Sequence, residues 1–199
     1  MRRRNLAGAL AGGWLLAGVL GMSTACSKAK TPEQAQARLC KAVAAHDPAA
    51  LFEALDTQTR WDWMTVQKSH REAYDIILSN YPEGAERDRE LRRFERGATL
   101  GSGRALFTEE AGGAALADTR LRDACAPGAR LENGPDPHHA AIVAASGTRA
   151  PLLFGPKETW GYSALSEDAE DRRRRALADV DQIRLNAADY ERAAARAGR

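Results

Sequence analysis

Trp63, Val66, His70, Tyr74, Ile77 and Tyr81 follow one another at intervals of three or four residues. Only the 3.6-residue turn of an α-helix brings such positions onto one side, so the spacing predicts a helix over residues 61–80, stopped by Pro82. A stripe of that length has to be covered by other elements, which commits the middle of the chain to helix packing.

Helix signals flank it on both sides. Thr31-Pro32-Glu33-Gln34 offers a cap, a proline at the first helical position and a glutamine placed to close a capping box. The helix it opens turns Ala35, Leu39 and Val43 to one face, with Cys40 at the edge of that face. Asp47-Pro48 repeats the signal for a short helix carrying Leu51, Phe52 and Leu55, followed by a polar turn over residues 56–59. Residues 83–96 hold five acids and five arginines around Leu91 and Phe94, which reads as a solvated helix laced with ion pairs. "ATLGSGRALFTEEAGG" reads as a glycine-marked connector with one helical turn at 104–107, and residues 116–124 as another short helix.

After Pro127 the pattern changes to "ARLEN", "HHAAIVAAS", "APLLF" and "ETWGYSAL", short runs bounded by Gly, Pro and Asn as in antiparallel strands joined by hairpins. Ser166 caps a final helix over 166–196, with Leu177, Val180, Ile183, Ala187, Tyr190 and Ala194 along its apolar side. In "EDAEDRRRR", Asp168 and Arg172, Glu170 and Arg174, and Asp171 and Arg175 stand in the favourable i,i+4 order of a soluble helix face. The predicted fold is α+β: amino-terminal helices packed on a curved antiparallel sheet, plus a long carboxy-terminal helix, in a single domain over 31–199.

The first residues have another logic. Arg2, Arg3 and Arg4 precede an uncharged run from Asn5 to Ser27, the layout of an export signal. Five glycines in the run weaken it as a permanent span, although its length could cross a bilayer. Ser23, Thr24 and Ala25 before Cys26 resemble the lipobox of bacterial lipoproteins, which implies lipidation of Cys26, a signal peptide over 1–25 and a short tether over 26–30. Ser23 and Ala25 also satisfy an ordinary A-x-A-like cleavage site. The chain has three cysteines, an odd count that lipidation of Cys26 explains. Cys40 and Cys125 are then free to pair in an oxidising compartment or to remain separate thiols.

Charge bears on the class of partner. The full chain carries 29 basic and 27 acidic residues, and without the three signal arginines 26 remain against 27, a net charge of −1. Nothing in that balance points to nucleic acid or to anionic lipid.

"AVAAHDPAALFEALD", then a longer helix, then strands ending in "GTRAPLLFGPKETWGYSAL", resembles the cone-shaped fold of nuclear transport factor 2 and SnoaL-like proteins over roughly residues 31–165. That likeness implies a cone-shaped fold, one carried by many exported bacterial lipoproteins of unknown role.

Four residues are candidate pocket positions. His70, Tyr74 and Trp63 share the apolar stripe and suit a small aromatic or polar ligand; the alternative is a core histidine bonded to backbone or water. His139, beside His138 and near Asp136, would point inward from a strand lining a cone and could act as a base oriented by a carboxylate. Adjacent strand residues face opposite sides, so the two histidines do not converge on a metal, and a solvated loop is the alternative. In "WDWM", Trp61 and Asp62 mark a helix start and its packing, with a carbohydrate platform as the alternative. Gly101-Ser102-Gly103 lacks the pattern of a phosphate loop or a nucleophile elbow and reads as a turn. No catalytic set, cofactor motif or metal set stands out.

The expectation is a lipid-anchored envelope protein, attached to the membrane through Cys26, with a non-catalytic domain for a protein partner or small ligand. The alternatives are a SnoaL-like enzyme with an acid/base pair from His70, His138 and nearby carboxylates, or a structural role for the charged terminal helix.

Overall fold

A computed structural model describes residues 28–197; the run expected to be a signal, and Cys26, lie outside the described residues. Eight α-helices and four strands follow in order: α1 (Pro32–Ala44), α2 (Pro48–Ala54), α3 (Thr57–Asn80), α4 (Ala85–Thr99), α5 (Gly103–Phe107), α6 (Gly113–Ala117), α7 (Thr119–Ala124), β1 (Arg130–Asn133), β2 (His139–Val143), β3 (Arg149–Gly155), β4 (Thr159–Tyr162) and α8 (Ser166–Ala197). The fold is α+β, with the long terminal helix expected from the sequence.

Caps explain where the first helices begin. Thr31 Oγ1 accepts from the Gln34 amide at 3.3 Å, but Gln34 Oε1 accepts from the Lys30 amide at 2.7 Å, so the box closes one residue upstream of its usual place. Asp47 Oδ1 accepts from the amides of Ala49 and Ala50 ahead of α2. Residues 56–59 are not a turn. Asp56 accepts from the Gln58 and Thr59 amides at 2.9 and 3.1 Å and from the Thr59 hydroxyl, so it caps α3, which starts four residues earlier than the predicted residue 61.

The connector is also more helical than its glycines predict. α5 passes through a π-helical turn at Thr108–Gly112 into α6, and Asp118 then caps α7 by accepting from the Arg120 amide. Ser102 caps α5 through the Ala105 amide rather than lying in an open turn.

The strands form one antiparallel meander in the order β1-β2-β3-β4. Ile142 pairs with Ala150, Ala140 with Leu152, and Leu152 with Tyr162, so these residues share the buried side of the sheet. The outer edge of β4 is covered on the spot: Trp160 donates its amide to the Ala29 carbonyl at 2.9 Å, and Asp56 donates to the Tyr162 carbonyl at 3.0 Å. Gly161 is required where that second segment crosses, because a Cβ there would lie 2.5 Å from the Asp56 Cα.

Two apolar cores result. The first joins Leu39, Leu51, Leu55, Trp63, Phe107 and Leu121 from the helices to Ile142, Leu152 and Tyr162 from the sheet. The second contains no strand residue: Ala73, Ile77 and Tyr81 of α3 and its end meet Phe94 of α4 and Val180, Ile183 and Ala187 of α8. α4 is therefore a packed helix, not merely a solvated one. On α8, Val180, Ile183 and Ala187 are buried as predicted, whereas at the start of the stripe Ala176 is buried in place of Leu177, which is 40% exposed, and at its end Ala194 is exposed. A disulfide joins Cys40 of α1 to Cys125 at the end of α7, with Cα atoms 5.1 Å apart. Among the described residues no helix is long and apolar enough to cross a membrane.

Candidate functional site

The four predicted pocket residues do not share a pocket. Trp63 is buried in the first core, with its ring edge-on to Phe107 at 5.5 Å and the Arg172 guanidinium over its face at 5.1 Å. His70 lies two turns on, at the margin of the second core, its ring edge-on to Phe94 at 5.6 Å and Gly97 passing beside it. Burial lowers the His70 pKa below the ordinary histidine value, against the pull of Glu110 and Asp179. Tyr74 is half-buried against the same core.

His139 belongs to another region. It opens β2 with an exposed ring whose Nδ1 sits 2.8 Å from Asp136 Oδ1, and the same carboxylate accepts the His138 amide at 2.8 Å. The His139 ring, followed by that amide, holds the Asp136 carboxyl below its usual range. His138 stacks on Phe154 with ring centroids 5.7 Å apart. The histidine-carboxylate pair exists, but on an open surface. Among the described residues no group of three potential metal ligands comes together.

A cleft forms instead where the start of α3 meets the end of the sheet. Thr57 Oγ1 lies 3.3 Å from Thr159 Oγ1, which fixes the first turn of α3 against β4. One turn further, Trp61 is 37% exposed and Met64 41%, on the side of α3 away from Trp63. Trp160 of β4 is half-buried and forms part of the lining, and Phe52 of α2 is another apolar contribution. The space has a volume of about 340 Å³, within the range of small-molecule clefts.

Its charge is one-sided. Lys28, Arg38, Arg60 and Lys157 line it against a single carboxylate, Glu53. Glu53 is already engaged: Arg60 Nη1 lies 3.6 Å from one of its oxygens and Arg104 Nη1 3.7 Å from the other. Arg38 donates to the Glu53 carbonyl at 3.4 Å. Lys157 Nζ stands 5.4 Å from the Trp61 ring centroid, a cation–π contact. Arg60 Nε is buried without a hydrogen-bond partner.

This arrangement can hold an apolar or aromatic group between indoles and place a negative charge among cations. Its lining has no histidine, and its one carboxylate is occupied by two guanidiniums. Sequence reasoning assigned Trp61 to helix packing and missed Met64. The available signal was that both stand three residues apart and off the Trp63 stripe, apolar side chains on a face with no assigned partner.

Compared with models of known protein families, with curated proteins and with solved structures, the chain matches none.

Proposed function

We propose that this is a lipid-anchored cell-envelope protein whose domain binds a ligand or partner without catalysing a reaction. The observation that carries the reading is the cysteine arrangement. With Cys40 joined to Cys125, Cys26 is the remaining one of three cysteines. It directly follows Ser23-Thr24-Ala25 and an uncharged run, the position at which the lipobox resemblance implies a lipid. A disulfide also belongs to an oxidising compartment, in keeping with export.

Support for a binding role comes from the cleft, where Trp61 and Met64 are exposed beside several cations. An acid/base enzyme gains less support: His70 is wedged against Phe94, and His139 is tied to Asp136 on an open surface. The likeness to the nuclear transport factor 2 and SnoaL-like cone belongs to the same proposal. It rests on the sequence pattern of helix signals, then short strand-like runs with a late tryptophan, Trp160.

Growth of producing cells with a palmitate analogue tests the anchor. Label is expected on the parent chain and none on Cys26→Ala. An unlabelled parent, or label retained by Cys26→Ala, overturns the reading.

A further inference from the structure

The chain enters the domain at the rim of the indole-lined cleft. Ala29 is buried against β4 through the Trp160 amide, and Lys28 is itself a lining residue. Cys26 stands two residues before Lys28, an extended reach of at most about 7 Å. A lipid on Cys26 would therefore bring a bilayer surface to this end of the molecule.

The composition of the cleft matches such a surface. Trp61 and Met64 present uncovered apolar area, and Trp160 adds a second indole. Indoles are enriched in the headgroup layer because the ring has an apolar body and an N–H that reaches water or phosphate. Lys157 above Trp61, and Lys28 at the chain entry, place ammonium groups beside that apolar area. Flexible lysine stems allow the charges to reach phosphates while their methylenes lie along apolar surface. The lining has four cations against one engaged carboxylate, although charge over the mature chain is nearly balanced. The local excess is thus a property of this face.

We propose that the cleft is the face by which the domain docks onto the anionic phospholipid surface holding its anchor. Trp61 and Met64 enter the headgroup layer, and Lys28 and Lys157 pair with anionic headgroups. An anchor alone leaves a domain free to turn on its tether; this second contact selects the face turned to the membrane. The inference rests on the lipid-anchor reading for the position of the bilayer, whereas the docking contacts are the domain's own.

Quenching by brominated lipid tests it. The full chain with Trp14→Phe retains Trp61, Trp63 and Trp160, and is reconstituted into brominated phosphatidylglycerol vesicles and, separately, brominated phosphatidylcholine vesicles. Emission is expected to be quenched in phosphatidylglycerol and much less in phosphatidylcholine. Lys157→Glu and Lys28→Glu should each weaken the phosphatidylglycerol response by about five-fold or more, and added salt should do the same. Trp61→Phe should remove the quenched component, with the far-ultraviolet spectrum and melting temperature retained. Equal quenching in both lipids by parent and charge variants overturns the proposal, as does absence of quenching in both. A second copy or soluble protein occupying the cleft would shield Trp61 in either lipid and also overturns it. Mass spectrometry for an acyl group on the parent keeps the two readings apart. Its absence overturns the anchor, while the lipid-charge difference, measured on parent and Cys26→Ala alike, decides the docking face.

Discussion

Arg173 of α8 brings its Nε to 3.0 Å from Asp62 Oδ1 of α3, and the Asp62 side chain is only 3% exposed. Gln58 donates to the same oxygen at 2.9 Å, whereas Arg173 Nε makes no aligned hydrogen bond, so the α8 contact is a pairing of charges. Burial raises the Asp62 pKa, opposed by Gln58 and Arg173. Arg173→Ala leaves a buried carboxylate without its cation and is expected to cost about 3 kcal/mol. Replacing both partners, Asp62→Leu with Arg173→Met, should recover most of that loss. Urea unfolding of the two variants beside the parent checks the prediction.

The Cys40–Cys125 bond closes a loop with a sequence separation of 85 residues. In the chain-entropy account, its removal costs about 4 kcal/mol, because the unfolded chain regains the freedom that the link denied it. Cys40→Ala/Cys125→Ala should therefore unfold at lower denaturant concentration. A reductant should produce a similar loss in the parent and no further loss in the double variant.

Gly161 sets the approach of the α2–α3 junction to β4. A Cβ at this position meets backbone atoms of Leu55 and Asp56 at 2.5–2.6 Å, and backbone cannot rotate away as a side chain can. Gly161→Ala should destabilise by about 2 kcal/mol or more through forced displacement. It should also loosen the start of α3, seen as faster amide exchange at Asp56, whose N–H is bonded to the Tyr162 carbonyl.

His70 makes stability depend on pH. Its folded pKa is lowered from 6.5, mainly by burial and further by Arg93, with Glu110 and Asp179 opposing. As pH falls below 6.5, the unfolded imidazole takes up a proton before the folded one, so stability declines until the folded pKa is passed. His70→Gln should flatten this part of the curve, measured as melting temperature against pH. Gly97 faces the same ring, with a Cβ placed only 2.0 Å from His70 Nδ1, so Gly97→Ala should disturb the α3–α4 contact.

Much of the architecture was legible because local rules state it. Pro32 and Pro48 with their caps, the Trp63-to-Ile77 spacing and the four short runs after Pro127 all lie where helices and strands occur. Misreadings arose where a partner distant in sequence decides. Arg173 looked like one charge of a soluble run until α8 lay beside Asp62. Of the three predicted i,i+4 pairs, Asp168–Arg172 forms at 2.8 Å, while Arg174 turns to Asp171 and Arg173 to Glu170 and Asp62. These positions are too close in exposed helix energetics for sequence spacing to choose among them.

The cleft was least legible, since its lining comes from α2, α3, β4 and the segment before α1. By itself the sequence determined the helical and strand segments, the α+β class, the cysteine arithmetic and the near balance of acids and bases, all consequences of residue type and short-range spacing. Only the tertiary structure decided that Trp63 is covered while Trp61 remains open, that His70 and His139 are far from a common pocket, and that Lys28, Lys157 and Trp160 surround one cleft. The reason is physical: period and propensity orient a side chain about its own element, but which face is covered depends on the element packed against it.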